Sequence, residues 1–225
     1  MDLRDGIATV EGDTHIGKWV RDTGKLCHDT GLFMDLWPAL HAAGYGPLRT
    51  IVDAGAFIGD HTAEYARQAK RVLAFEPNPV AFDCLEHNMQ SFDNVECYPL
   101  GLSEGNSYTA SLHACDNVGA SHVTDDGAGR ICLAPLDQYE LDDLDFIKLD
   151  IEGMEPAALR GASGTMQLCR PAVLVEINHG ALARIGYHPD DILGLLEDWK
   201  YRCRPFRGSY RDPQWDALCL PKERT

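Results

Sequence analysis

From Thr50 to Asn178 the chain repeats one phrase: a short run of β-branched and apolar residues, a turn marked by Gly, Pro or Asp, then a segment with helical periodicity. TIVDA is followed by HTAEYARQA, RVLAFE by PVAFDCLEHNM with proline in its first turn, and FIKLD by EPAALRGA, while AVLVEI closes the series. This alternation predicts an α/β fold, a mostly parallel sheet with helices on both faces. VECYPL supplies a further strand, and residues 101–130, rich in Gly, Ser, Asn and Asp, read as loops with one hairpin at most. Beyond the series, HPDDILGLLEDWK puts Ile192, Leu195, Leu196 and Trp199 on one helical stripe, and YRCRPF with ALCLP predicts a closing antiparallel pair.

Residues 1–48 stand outside this rhythm. LFMDLWPALHAAG predicts a helix bent at Pro38. The chain is therefore expected to divide into an N-terminal helical cap or lid over residues 1–48, lying on the sheet edge or the ligand site, and a main domain over 49–225. That length suffices for one full core. A net charge of −15 argues against a nucleic-acid or anionic-membrane footprint, which needs clustered Lys and Arg, and leaves a small-molecule or glycan partner. No stretch has the apolar length of a membrane span or the layout of a secretory signal, so a cytoplasmic location is expected. The eight cysteines are scattered without a C-x-x-C pair, which fits small buried hydrophobes better than a zinc site.

The stretch IVDAGAFIGDHT, residues 51–62, ends a strand in Asp53, spaces Gly55 and Gly59, and starts a helix. That pattern puts backbone N–H groups and a positive helix end at the carboxyl edge of the sheet, where open α/β sheets bind ligands. A carboxylate at such a loop would repel a pyrophosphate and attract an ammonium, which gives Asp53 an amino-acid-like ligand. The next strand ends in Glu76, an acid that can accept from both hydroxyls of a ribose. Ammonium plus ribose describes S-adenosylmethionine. The nicotinamide alternative expects G-x-G-x-x-G, which DAGAFIG lacks.

IVDAGAFIGDHT, AFEPNP with LEHNM, NVECYPLGLSEG, NVGASHV, LAPLDQY, DFIKLDIEGMEPAALRGA and RPAVLVEIN run in one order over roughly residues 50–180. In that order they resemble the FkbM family of S-adenosylmethionine-dependent methyltransferases. The resemblance implies a class I, Rossmann-like methyltransferase fold with a seven-stranded sheet, and methyl transfer to oxygen, commonly a hydroxyl of a sugar or other small metabolite. It implies that Asp53, Gly55, Ala56, Phe57 and Gly59 surround the methionine part of the cofactor. Asp60, His61 and Thr62 begin the next helix beside it, Glu76 holds the ribose with Asn78 in the same loop, and Leu102 and Ser103 lie near the adenine. Phe57 stands where the family often has Asn.

Methyl transfer to an alcohol needs the nucleophile held in line and its proton removed, by a base, a metal or both. Asp150 closes the fourth strand and Glu152 follows it, while Glu176, Asn178 and His179 close the fifth. Glu152 is the expected base, with His179 a second candidate because its pKa suits proton acceptance. Asp150, Glu176 and Asn178 are candidate oxygen ligands for Mg²⁺ or another divalent cation, an arrangement that also resembles magnesium-dependent sugar O-methyltransferases. Against these stand plainer readings: Asp150 as a helix cap or cofactor contact, Glu152 as a partner of Lys148, and Glu155 as a macrodipole partner. Ser121 and His122 on the loop NVGASHV, and His28 with Asp29 in the cap, are candidate acceptor contacts. A rival class is a non-catalytic module that binds S-adenosylmethionine or a glycan without turnover. Oligomeric state stays open, with a homodimer as one option.

Overall fold

The computed structural model describes residues 1–26, 29–105, 107–113, 122–124 and 131–224, with the 107–113 and 122–124 strands described by backbone alone. Its centre is a seven-stranded sheet. The strands in chain order are β1 (Asp2–Arg4), β2 (Ile7–Thr9), β3 (Leu48–Ala54), β4 (Ala69–Phe75), β5 (Val95–Tyr98), β6 (Leu100–Leu102), β7 (Ser107–His113), β8 (His122–Thr124), β9 (Ile131–Ala134), β10 (Leu144–Leu149), β11 (Ala172–Asn178), β12 (Tyr201–Arg207) and β13 (Gln214–Pro221). The central sheet runs β12-β13-β11-β10-β3-β4-β5, parallel from β11 to β5 and antiparallel where β13 joins β11 and β12. Chain order reverses beside β3, the first strand of the parallel set. That reversal opens the crevice in which an α/β sheet takes its ligand.

The helices are α1 (Ile16–Thr23), α2 (Thr30–Ala42), α3 (Thr62–Gln68), α4 (Pro79–Met89), α5 (Glu155–Arg160), α6 (Ser163–Cys169), α7 (His179–Arg184) and α8 (Pro189–Asp198). Because successive side chains on a strand point to opposite faces, Val52, Leu73, Ile147 and Val173 pack under Leu159, Met166, Ile192 and Leu196. Their neighbours Ile51, Val72, Phe146 and Ala172 pack under Phe33, Leu36 and Tyr65. Both faces are thus dry, which explains why the strands read as unbroken apolar runs.

Three features differ from the sequence reading. The segment after β5 is richer in strands than expected, since β6, β7, β8 and β9 form a separate four-stranded sheet in the order β6-β9-β7-β8. Its residues alternate polar and small types too weakly to signal strands. The N-terminal segment opens with the β1–β2 hairpin before its helices, and α2 shares a core cluster with the sheet through Leu32, Phe33, Leu36 and Leu40. Ala8, Val10 and Val20 pack on Phe57 and Ile58 of the first βα loop, and the Asn88 side chain ties Ala8 and the Ile58 carbonyl to α4. Finally, Cys203 and Cys219, cross-strand partners on β12 and β13, form a disulfide, a pairing their wide spacing gave no sign of. No helix among the described residues is long and apolar enough to cross a membrane.

Candidate active site

A cavity of about 380 Å³ opens at the carboxyl ends of β3, β4 and β10, within the size range of small-molecule sites. Its floor is the first βα loop. Gly55 has φ +81° and an added Cβ would lie 1.9 Å from the Asp150 carbonyl oxygen, so the two loops touch backbone to backbone. Phe57 is held at φ +50°, a conformation uncommon outside glycine, and its N–H donates to the Glu76 carboxylate at 2.9 Å. The second Glu76 oxygen accepts from the Asn78 N–H at 2.8 Å, and the Asn78 side chain caps α4 through the Val80 N–H. Burial pushes the Glu76 carboxyl up to about 7 despite those two bonds. Phe75, Gly101, Leu102 and Leu133 make an apolar slot beside it.

On the other side of β3, Lys148 emerges from β10 with its ammonium 3.0 Å from Asp150 and 3.9 Å from Asp53. Burial works against that charge, but the Asp150 and Asp53 carboxylates outweigh it and hold the Lys148 pKa above the usual lysine range. Glu152 follows in the left-handed region at φ +55°, next to Gly153 at φ +108°. The buried Glu155 carboxylate accepts from the Ile151 N–H at 3.0 Å and the Gly153 N–H at 3.2 Å, bracing this loop from below. Its own pKa is pushed up to about 7 by burial. Glu152 is likewise raised to about 7, by burial and by Asp150, with Arg184 at 3.6 Å pulling the other way. A carboxyl poised near neutrality in a cleft is suited to accept a proton.

β11 and β13 complete the wall. Glu176 accepts from the Gln214 side chain at 2.6 Å, and burial with the nearby Asp150 charge pushes its carboxyl up to about 9. Asp216 is raised to about 6 by the same two causes. From the N-terminal segment come His15, Ile16, Leu32 and Asp29. Asp29 caps α2 through the Leu32 N–H and pairs with Arg207 of β12, latching that segment to the far edge of the sheet.

Of the residues singled out in the sequence, Gly55, Ala56, Phe57, Asp60, His61, Glu76, Asn78, Leu102, Asp150, Glu152, Glu176 and Asp29 line this cavity. Others do not. Asp53 is fully buried beneath the floor, bonded to the Thr62 hydroxyl at 2.7 Å and facing Lys148, so its carboxylate does not present itself to a ligand ammonium. Thr62 is spent on that bond, Gly59 packs on Leu85 and Met89, and Ser103 pairs through its backbone with Ala134. His179 is an exposed residue at the start of α7, outside the cavity, which removes it as the base. Asn178 spends its side chain capping α7. The set Asp150, Glu176 and Asn178 therefore does not converge, and no group of three or more His, Cys, Asp or Glu among the described residues is arranged to hold a metal ion. The divalent-cation expectation does not fit these residues. His28 and Ser121 lie outside the described residues, as does the side chain of His122.

Sequence reasoning missed Lys148 as a site residue, and Asp216 and Gln214 altogether. A lone lysine inside the apolar run FIKL was the available signal for the first; nothing local marked the other two.

The profile of the Methyltransferase FkbM domain matches residues 53–203. The hexuronic acid methyltransferase AglP of Haloferax volcanii is 31% identical over 156 residues, 66% of this chain and 61% of that protein, so this chain spans about three-fifths of its relative. A methyltransferase FkbM from Methylobacillus flagellatus superposes with a TM-score of 0.54 at 21% identity, over 77% of this chain and 44% of that one. The magnesium protoporphyrin IX methyltransferase ChlM of Synechocystis, solved with bound S-adenosylmethionine, gives 0.51 at 15% identity over 92% and 84%. With the profile covering more than half its length, the chain belongs to the FkbM methyltransferase family.

Proposed function

We propose that this chain is an S-adenosylmethionine-dependent O-methyltransferase acting on a hydroxyl of a sugar, glycan or other small metabolite. The observation that carries the reading is Glu76: a buried carboxylate at the end of β4, fixed by two backbone N–H bonds, in the wall between the glycine loop and an apolar slot. Each of its oxygens keeps acceptor capacity for a ribose hydroxyl. Phe75, Leu102 and Leu133 suit the adenine, and the loop Gly55–Phe57 the methionine part. A net-acidic cavity also suits a ligand of net positive charge. Bound there, S-adenosylmethionine supplies an electrophilic sulfonium methyl.

Glu152 then serves as base. Held in its left-handed conformation by the loop that Glu155 braces, it would accept the acceptor's hydroxyl proton as the oxygen takes the methyl group and the sulfur–methyl bond breaks, the electron pair staying on the sulfur of the departing S-adenosylhomocysteine. Arg184 beside it keeps enough of the carboxylate ionised near neutral pH. Lys148 holds Asp150 in place and ties the floor to this loop.

Calorimetric titration with S-adenosylmethionine and S-adenosylhomocysteine tests the reading. Micromolar binding is expected, lost in Glu76→Ala and kept in Glu152→Gln. In a screen of glycoside acceptors, Glu152→Gln should lower kcat about 10²–10⁴-fold, the usual worth of a placed base. A folded protein that binds neither nucleoside refutes the function; full turnover by Glu152→Gln refutes the base.

A further inference from the structure

Gly55, Phe57 and Gly59, three of the five residues from 55 to 59 in the cavity floor, have φ of +81°, +50° and +87°. A run of left-handed backbone that includes a phenylalanine persists only where its surroundings over-determine it. On the sheet side, the Gly55 and Ala56 N–H groups donate to the Phe75 carbonyl at 3.0 Å, and the Phe57 N–H donates to Glu76. On the outer side, Phe57 and Ile58 are buried against Ala8, Val10 and Val20 of the N-terminal segment. One side chain joins loop, segment and helix. Asn88, near the end of α4 in the stretch LEHNM, accepts from the Ala8 N–H at 2.7 Å and donates to the Ala8 carbonyl at 2.9 Å, the two-point pairing that a neighbouring antiparallel strand would give. Its amide nitrogen also donates to the Ile58 carbonyl at 2.8 Å, and Ile58 stands between the left-handed Phe57 and Gly59. Every polar atom of the amide is thus spent on backbone, and Asn88 is not among the residues that line the cavity.

Resting on the methyltransferase reading above, we infer that Asn88 is a positioning residue for S-adenosylmethionine: acting through Ile58, it fixes the 55–59 loop to α4 and to β2, and so makes docking of the N-terminal segment and binding of the cofactor mutually dependent. Apparent affinity falls by the fraction of molecules whose loop is out of its binding shape, so a side chain that holds the loop raises affinity without touching the ligand. Linkage makes the effect reciprocal. A cofactor that requires the 55–59 conformation also tightens the hold on Ala8, 80 positions before Asn88 in the chain. The N-terminal segment then belongs to the cofactor site as much as to the acceptor side of the cavity.

The test titrates the full chain with S-adenosylhomocysteine. Asn88→Ala keeps a good helix former in α4 and should bind about tenfold or more weakly, as when the loop holds its shape in only about a tenth of the molecules. Tyr45→Phe removes a hydrogen bond to the Arg170 carbonyl at the opposite end of the sheet, and should stay within about twofold of wild type, which separates loop positioning from a general loss of stability. In the wild type, saturating S-adenosylhomocysteine should slow amide hydrogen exchange at Ala8 about tenfold or more beyond any slowing at Gly44, whose N–H closes the end of α2 far from the cavity. A folded Asn88→Ala protein with wild-type affinity overturns the inference and leaves the methyltransferase reading intact, as does an equal loss in Tyr45→Phe. Equal slowing at Ala8 and Gly44 also overturns it, and that measurement decides the matter if Asn88→Ala fails to fold. Failure of the wild-type protein to bind S-adenosylhomocysteine refutes the underlying function instead.

Discussion

Removing the Glu155 carboxylate should unmake the loop that carries Glu152. Glu155 is 1% exposed, and one of its oxygens accepts both the Ile151 and Gly153 N–H groups. Stripping a buried donor of its partner costs about 1–3 kcal/mol, so Glu155→Ala should lose about 2–6 kcal/mol if the loop stays in place. Ile151 N is only part-buried, which points to the lower half of that range. The loop has an escape, because Glu152 at φ +55° stores about 1–3 kcal/mol of backbone strain that is released if the turn unwinds. The expected result is a stability loss of ~3 kcal/mol, with faster amide exchange at Ile151 and Gly153. Glu155→Gln keeps a carbonyl oxygen in position and should lose under ~1 kcal/mol. Denaturant unfolding gives the energies, and amide hydrogen exchange places the change in the loop. A Glu155→Ala protein within ~0.5 kcal/mol of wild type, with those amides still protected, would refute the bracing role.

Lys148→Met leaves Asp53 and Asp150 without their shared counter-charge, and should destabilise by about 3–5 kcal/mol in thermal or denaturant unfolding; a neutral effect would mean the acids are held by other groups. Stability should fall as pH rises from about 6.5 to about 8.5. Glu76, Glu152 and Glu155, raised to about 7, keep a shrinking share of their protons over the lower part of that window and Glu176, raised to about 9, keeps its proton through most of it, whereas the unfolded chain has released all four, so each rise in pH removes stability. The His61 ring, lowered by burial, opposes this trend only below its ordinary value of 6.5. A melting temperature that rises across the window would contradict these assignments. Asp29→Ala, which loses both the α2 cap and the Arg207 pair, should cost about 1–2 kcal/mol, against under ~1 kcal/mol for Arg207→Ala; the reverse order would place the latch rather than the cap in charge.

Much of the central architecture was legible because its signals are local. Pro79 starts α4 where proline fits a first turn, and consecutive apolar pairs such as Ile51 with Val52 and Val72 with Leu73 need both faces of the sheet covered. The place of Glu76 in the cavity wall was legible for the same reason, since a strand end falls at the carboxyl edge of the sheet. Asp53 shows where such reasoning stops. Its position in the chain is at the edge, but the parallel register with β10 sets it against Lys148, and a buried lysine draws a carboxylate inward. Which way an acid turns depends on a strand far along the chain. Asp216 was illegible on the same ground, since only the antiparallel return of β13 brings it opposite Glu176. Asn178 and His179 lost their assigned roles to a helix start, because the α7 cap consumes the one and carries the other out of the cavity.

The contact between Gly55 and the Asp150 carbonyl, reinforced by the Asp150 N–H bond to Ala54, makes the floor and the Glu152 loop one mechanical body. Neither can be redrawn alone, since a methyl group at residue 55 has no room and a shift at residue 150 pulls on the strand beneath. Retargeting this scaffold to another acceptor must therefore work from the periphery, through Asp216 and Gln214 on one side and Asp29 and His15 on the other, where a side chain can change without moving the joint.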